Sequence, residues 1–181
     1  MTRTTNFQGW VLTVGLLLGV LAGGWCAPAT GQISWGRGKE RKPMLPNPYT
    51  FNVPRDTLLD AIRQVLSDRE LVLDEKLSAE KPGRLVTKPV IFTRGALTSG
   101  ANLEFIARRP GGGNFTWVRG RYALELEALP LDPQRTQLTV YARIEGEYQT
   151  ETGGVWVECP SKGIKENEIL EAIIKHLNGE S

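Results

Sequence analysis

At 181 residues the chain holds one domain of ordinary size: setting aside a leader and a Pro/Gly-rich stretch leaves roughly 135 residues, too few for two. Its 22 Lys and Arg face 20 Asp and Glu, a net of +2, and the cations are scattered among acids except at residues 37–42 and 108–109, so charge gives no ground for a nucleic-acid partner. The two cysteines, Cys26 in the leader and Cys159 near the C-terminus, exclude a disulfide framework.

Arg3 is the only charge before Arg37, and residues 11–22 (VLTVGLLLGVLA) form an apolar run flanked by small residues, the layout of an export signal. A bilayer-spanning helix needs about 20 predominantly apolar residues, which makes a permanent anchor the weaker reading and leaves any membrane association to be made without a transmembrane helix. Ala27 and Ala29 stand at the two positions a signal peptidase reads, which places cleavage after Ala29. Lipidation at Cys26 competes with that reading, but the lipoprotein motif wants a small residue just before the cysteine and Leu two places earlier, where this chain has Trp25 and Gly23. Residues 1–29 are therefore expected to be a signal peptide. Residues 30–48, rich in Gly, Pro, Arg and Lys, read as a solvated tether, and residues 49–178 as the folded domain.

Within the domain, Tyr49, Phe51 and Val53 alternate with polar residues and run into Pro54 and Asp56, a strand followed by a helix start. Leu58, Leu59, Ile62, Val65 and Leu66 recur at helical spacing up to about Ser67. Residues 71–73 and 84–92 read as a hairpin around a turn at 79–83, with Pro89 making the second strand an edge or a broken one. Residues 98–114, with Ser-Gly, Arg-Arg-Pro and Gly-Gly-Gly, read as a long loop with a short ordered piece at 103–106.

Two strands follow. Val118, Tyr122, Leu124, Leu126 and Ala128 share one face against Arg119, Arg121, Glu125 and Glu127; Leu138, Val140, Ala142, Ile144 and Tyr148 repeat the pattern against Arg143, Glu145 and Glu147. Residues 130–133 turn the chain between them into an antiparallel hairpin. Residues 155–159 add a last strand, and Ser161, placed to cap, opens a helix with Ile169, Leu170, Ile173, Ile174 and Leu177 on its apolar face. The order β-α-β-β-β-β-β-α implies a two-layer α+β domain, an antiparallel sheet whose apolar face is buried by the N- and C-terminal helices.

Three stretches resemble the repeated domain of the BamC (NlpB) outer-membrane lipoprotein family: Phe51-Asn52-Val53-Pro54 leading into Leu58-Leu59-Asp60-Ala61-Ile62; Gly83-Arg84-Leu85-Val86-Thr87; and Trp156 followed by Ser161-Lys162-Gly163 and the closing helix from Glu168 to Ile173. The resemblance implies a helix-grip type of fold and a non-catalytic accessory role, by contact with a protein partner of the bacterial envelope near the machinery that inserts β-barrels.

Residue chemistry points away from catalysis. The one histidine, His176, lies on the last turn of the closing helix, and with Cys159 it is all the mature chain offers a zinc ion. No cofactor motif is present: Gly111-Gly112-Gly113 lacks the Lys-Ser/Thr of a phosphate loop. The carboxylate pairs Glu125/Glu127 and Glu145/Glu147 are expected to balance Arg119, Arg121 and Arg143 as exposed cross-strand pairs. The remaining candidates are aromatic. Trp117, Tyr141, Tyr148 and Trp156 could line a groove between sheet and closing helix, holding a partner segment or, as the alternative, a small apolar or lipid-like ligand; Tyr141 and Trp156 alternate onto the face opposite the main apolar rows.

Overall fold

The computed structural model describes residues 43–110 and 115–180. The expected signal peptide at 1–29 with Cys26, most of the 30–48 tether and Gly111-Gly112-Gly113 lie outside the described residues. The elements, in chain order, are β1 (Tyr49–Phe51), α1 (Arg55–Asp68), α2 (Glu75–Ser78), β2 (Arg84–Val86), β3 (Val90–Arg94), α3 (Ser99–Ile106), β4 (Trp117–Asp132), β5 (Arg135–Thr150), β6 (Gly153–Cys159) and α4 (Ile164–Leu177). They form a two-layer α+β domain.

The long hairpin β4–β5 is the spine of a six-stranded antiparallel sheet. Short strands line its two outer edges: β1 and β6 beside β5, β2 and β3 beside β4. The alternating rows point Leu124, Leu126, Ala128, Leu138, Val140, Ala142 and Ile144 to one side, where they are buried against Leu58, Ile62 and Leu66 of α1, Leu103 of α3 and Ile169, Leu170 and Ile173 of α4. Burying some 25 cal/mol per Å² of apolar surface here is what holds helices and sheet together.

The edge of β5 is closed by four devices in succession. β1 pairs with Thr136, Gln137 and Leu138. The Asn47 side chain then takes the place of a strand, its amide donating to Val140 C=O (2.6 Å) and its oxygen accepting from Val140 N–H (3.1 Å). The carboxylate of Glu166, buried in α4, accepts from Ala142 N–H (3.2 Å) and from the Ser161 hydroxyl (2.9 Å), and from Ile144 onward β6 pairs normally. These bonds give partners along the edge to backbone groups that burial would otherwise leave unpaired.

Several elements differ from the sequence expectations. The last residues of the stretch read as tether are part of the fold: Leu45 packs on the core and donates its N–H to Asn167 (2.8 Å). Residues 71–73 do not make a strand but a single bridge from Leu73 to Thr87, and Asp74 instead caps the short α2 by accepting from Leu77 N–H (3.2 Å). The 84–92 strand, by contrast, is broken at Lys88-Pro89 into β2 and β3 as Pro89 predicts, because proline has no N–H for the ladder; Thr87 bridges the gap, its hydroxyl accepting from Leu124 N–H (2.9 Å). Gly83, just before β2, has φ +81° and a side-chain carbon there would lie 2.7 Å from Ala128 O, so the close approach of β2 to β4 requires glycine.

The 98–114 loop contains a two-turn helix, α3. Ser99, Leu103 and Ile106 form its buried stripe, and Asn102 and Ser99 fasten it to Thr93 of β3 (2.8 and 3.4 Å). Ser-Gly reads as a turn locally, and burial of Leu103 overrides it. A bulge between Trp117 and Arg119 shifts the pleat by one residue, so Trp117, not Val118, enters the core. Finally, Gly163 in left-handed conformation is the N-cap of α4; Ser161 sits two residues earlier, accepting from Gly163 N–H (3.0 Å).

Candidate functional site on the open face of the sheet

All three long helices pack on one face of the sheet. The opposite face of β4, β5 and β6 carries Arg119, Arg121, Glu125, Glu127, Tyr141, Arg143, Glu145, Glu147, Trp156 and Glu158, placed there by strand alternation.

Its centre is Trp156. The guanidinium of Arg121 lies 4.2 Å from the centroid of the indole and that of Arg119 5.8 Å away, both within cation–π range. Each arginine is held by a glutamate across the hairpin: Arg121 Nε donates to Glu145 (2.6 Å), and Arg119 makes two bonds to Glu147, one through Nη2 at 2.8 Å and one through Nε. A bidentate arginine is fixed in orientation as well as position. Glu147 was expected to be exposed; its side chain is only 6% accessible, covered by Arg119 and by the backbone at Gly154, where a side-chain carbon would collide with its carboxylate. Glu125 and Glu127 pair away from the hairpin, with Arg84 (2.8 Å) and Lys81. Among the described residues Arg143 meets no carboxylate.

Tyr141 is 49% exposed and its hydroxyl donates to Glu158 (3.0 Å). That hydrogen bond, with partial burial second, pushes the phenol above its ordinary pKa, so it remains a neutral donor at physiological pH.

The four aromatics do not form one groove. Tyr141 and Trp156 are on the open face. Trp117 and Tyr148 are on the helix side, with ring centroids 5.6 Å apart and Phe115 4.4 Å from Tyr148, and Trp117 is 4% exposed beneath Leu103. The interface between sheet and α4 is filled by Leu138, Val140, Ala142, Ile144, Ile169, Leu170 and Ile173, so a ligand cavity at that place would require these side chains to move. An open groove of about 450 Å³ lies elsewhere, between α1 and α4, and includes His176 with Val65, Arg69, Glu168 and Lys175. Cys159 is buried in the core, and that burial pushes its thiol pKa up, away from the reactive thiolate.

Sequence reading found Tyr141 and Trp156 by alternation but missed the arginine stack on Trp156. The signal was partial: Arg119 and Arg121 are visible as an i, i+2 pair, whereas their place beside Trp156 depends on the β5–β6 register. Among the described residues no three His, Cys, Asp or Glu side chains are grouped to hold a metal ion, and no helix is long and apolar enough to cross a membrane. In comparison with known proteins, no family model matches this chain and no curated protein matches it.

Proposed function

We propose that the domain is a non-catalytic interaction module of the bacterial envelope that engages a protein partner through the open face of β4–β5–β6. The observation that carries this reading is the Trp156 platform: a large aromatic side chain with two arginines at cation–π distance, each fixed by a glutamate, and on the same face the exposed Tyr141, its hydroxyl bonded to Glu158. Tryptophan, tyrosine and arginine are the residues that dominate binding energy at interfaces, and a preorganised cluster loses little side-chain entropy when it binds. The resemblance of the three stretches to the BamC family supports placing the partner among the β-barrel assembly components. The export signal expected at residues 1–29 supports an envelope location. The same reading assigns no enzymatic activity and no cofactor.

The test is site-specific photo-crosslinking in the native envelope. A photoreactive residue at Tyr141 or at Arg143 is expected to yield an adduct containing a β-barrel assembly component, and one at Asp60 on the outer side of α1 is expected not to. Adducts of equal yield from both faces, or none from the sheet face, would overturn the proposal.

A further inference from the structure

The end of the domain formed by α3 carries a second surface, unconnected with the open sheet face. Leu97, Ala101 and Phe105 follow one another at intervals of four residues, the spacing that aligns side chains along one side of a helix, with Leu97 just ahead of the Thr98 N-cap. All three are exposed, Leu97 at 97% and Phe105 at 59%, while Ser99, Leu103 and Ile106 take the buried side. Eight residues of helix span about 12 Å, so the two large apolar side chains bracket a narrow strip.

The charges at the C-terminal end of the strip are cationic. Lys162 donates to the backbone carbonyl and, at 2.8 Å, to the carboxylate of Glu104; Arg109 donates to the same carboxylate at 2.9 Å. Arg108 is exposed and meets no carboxylate among the described residues. Three cations against one carboxylate leave this end at +2, as positive as the whole 181-residue chain. Met44 lies against Gly163, next to Lys162.

We infer that the α3 end docks on an anionic phospholipid bilayer. Leu97 and Phe105 enter the boundary between headgroups and acyl chains, and Arg108, Arg109 and Lys162 face the lipid phosphates. An exposed apolar strip bordered by cations has the two components of interfacial binding, buried apolar area and attraction to anionic headgroups. A single exposed leucine would carry no such meaning. Two large apolar groups on one row, beside unbalanced positive charge, fit a surface that is itself apolar beneath and anionic above. The inference does not rest on the protein partner proposed for the sheet face, and either can fail alone.

Because residues 11–22 could themselves enter a bilayer, the test must report on α3 and not on binding of the chain as a whole. The full chain carrying Cys26→Ser and Ala101→Cys is labelled with an environment-sensitive fluorophore; Cys159 is buried and leaves one reactive thiol. With phosphatidylcholine vesicles containing about one-third phosphatidylglycerol, emission is expected to shift to the blue, with little shift on phosphatidylcholine alone. The same label on Thr139→Cys, exposed on the open sheet face, is expected to stay unshifted. Arg108→Ala should lower the ratio of shifted to unshifted probe about fivefold, and Leu97→Ser with Phe105→Ser should abolish the shift. A chain that sediments with anionic vesicles while the probe on α3 remains unshifted would overturn the inference, as would equal shifts at both labelled positions.

Discussion

Gly146 lies on the helix side of β5, where the Trp117 indole covers it. A side-chain carbon at Gly146 would sit 2.5 Å from Trp117 Cζ3, 2.7 Å from Cε3 and 2.8 Å from Leu103 Cδ1, all well inside van der Waals contact. Gly146→Ala therefore forces either the indole out of its slot or α3 away from the sheet. Overpacking of this kind costs about 1–3 kcal/mol. Replacing a strand glycine returns roughly 0.5–1 kcal/mol of backbone entropy. The net expectation is a loss of about 0–2.5 kcal/mol, centred at about 1, and each kcal/mol lost lowers Tm by roughly 3–6 °C for a domain of this size.

The assay is denaturant and thermal unfolding of wild type, Gly146→Ala, Trp117→Leu and the double variant. If the clash is the cause, Gly146→Ala should cost little in the Trp117→Leu background, where the smaller side chain leaves room, giving a coupling energy of about 1 kcal/mol or more. An equal cost of Gly146→Ala in both backgrounds would refute the reasoning and put the strain elsewhere.

Two further outcomes follow from the buried and paired carboxylates. Glu166→Ala removes the acceptor for Ala142 N–H and should cost about 1–3 kcal/mol, with faster hydrogen exchange at the Ala142 amide; Glu166→Gln keeps an acceptor oxygen and should cost less, so indistinguishable variants would count against the edge-closing role. Hydrogen bonds from Lys162 and then Arg109 hold the Glu104 carboxyl at about 2, below the ordinary value of 4.5. Its folded pKa being depressed, the stabilisation it provides is complete above the ordinary carboxylate range and fades as pH falls from 4.5 toward 2. An NMR titration should place the Glu104 midpoint near 2 and show it rising in Lys162→Met; a midpoint in the ordinary range in the wild-type chain would contradict the pairing.

The parts of the fold legible in the sequence are those whose signal is local. The rows Leu124, Leu126, Ala128 and Leu138, Val140, Ala142, Ile144 announce a hairpin because a strand's period of two is written in consecutive residues. The stripes of α1 and α4 are legible for the same reason at a period of 3.6, and together with the hairpin they determine a helix layer on one face of an antiparallel sheet. Tyr141 and Trp156 fall on the opposite face by the same counting.

What the tertiary structure decided are features whose partners are distant in sequence. Asn47 closes the edge of β5 at Val140 across 93 positions, which no window of neighbouring residues reveals. The bulge at Trp117 turns that side chain into the core, reversing the face that alternation assigns. Leu103 makes a helix of Ser-Gly-Ala-Asn because a core site exists to receive it. The approach of Arg119 and Arg121 to Trp156 likewise exists only in the register that β6 adopts on β5. Local pattern specifies which face a side chain takes; burial and hydrogen bonding between remote segments specify what it meets there.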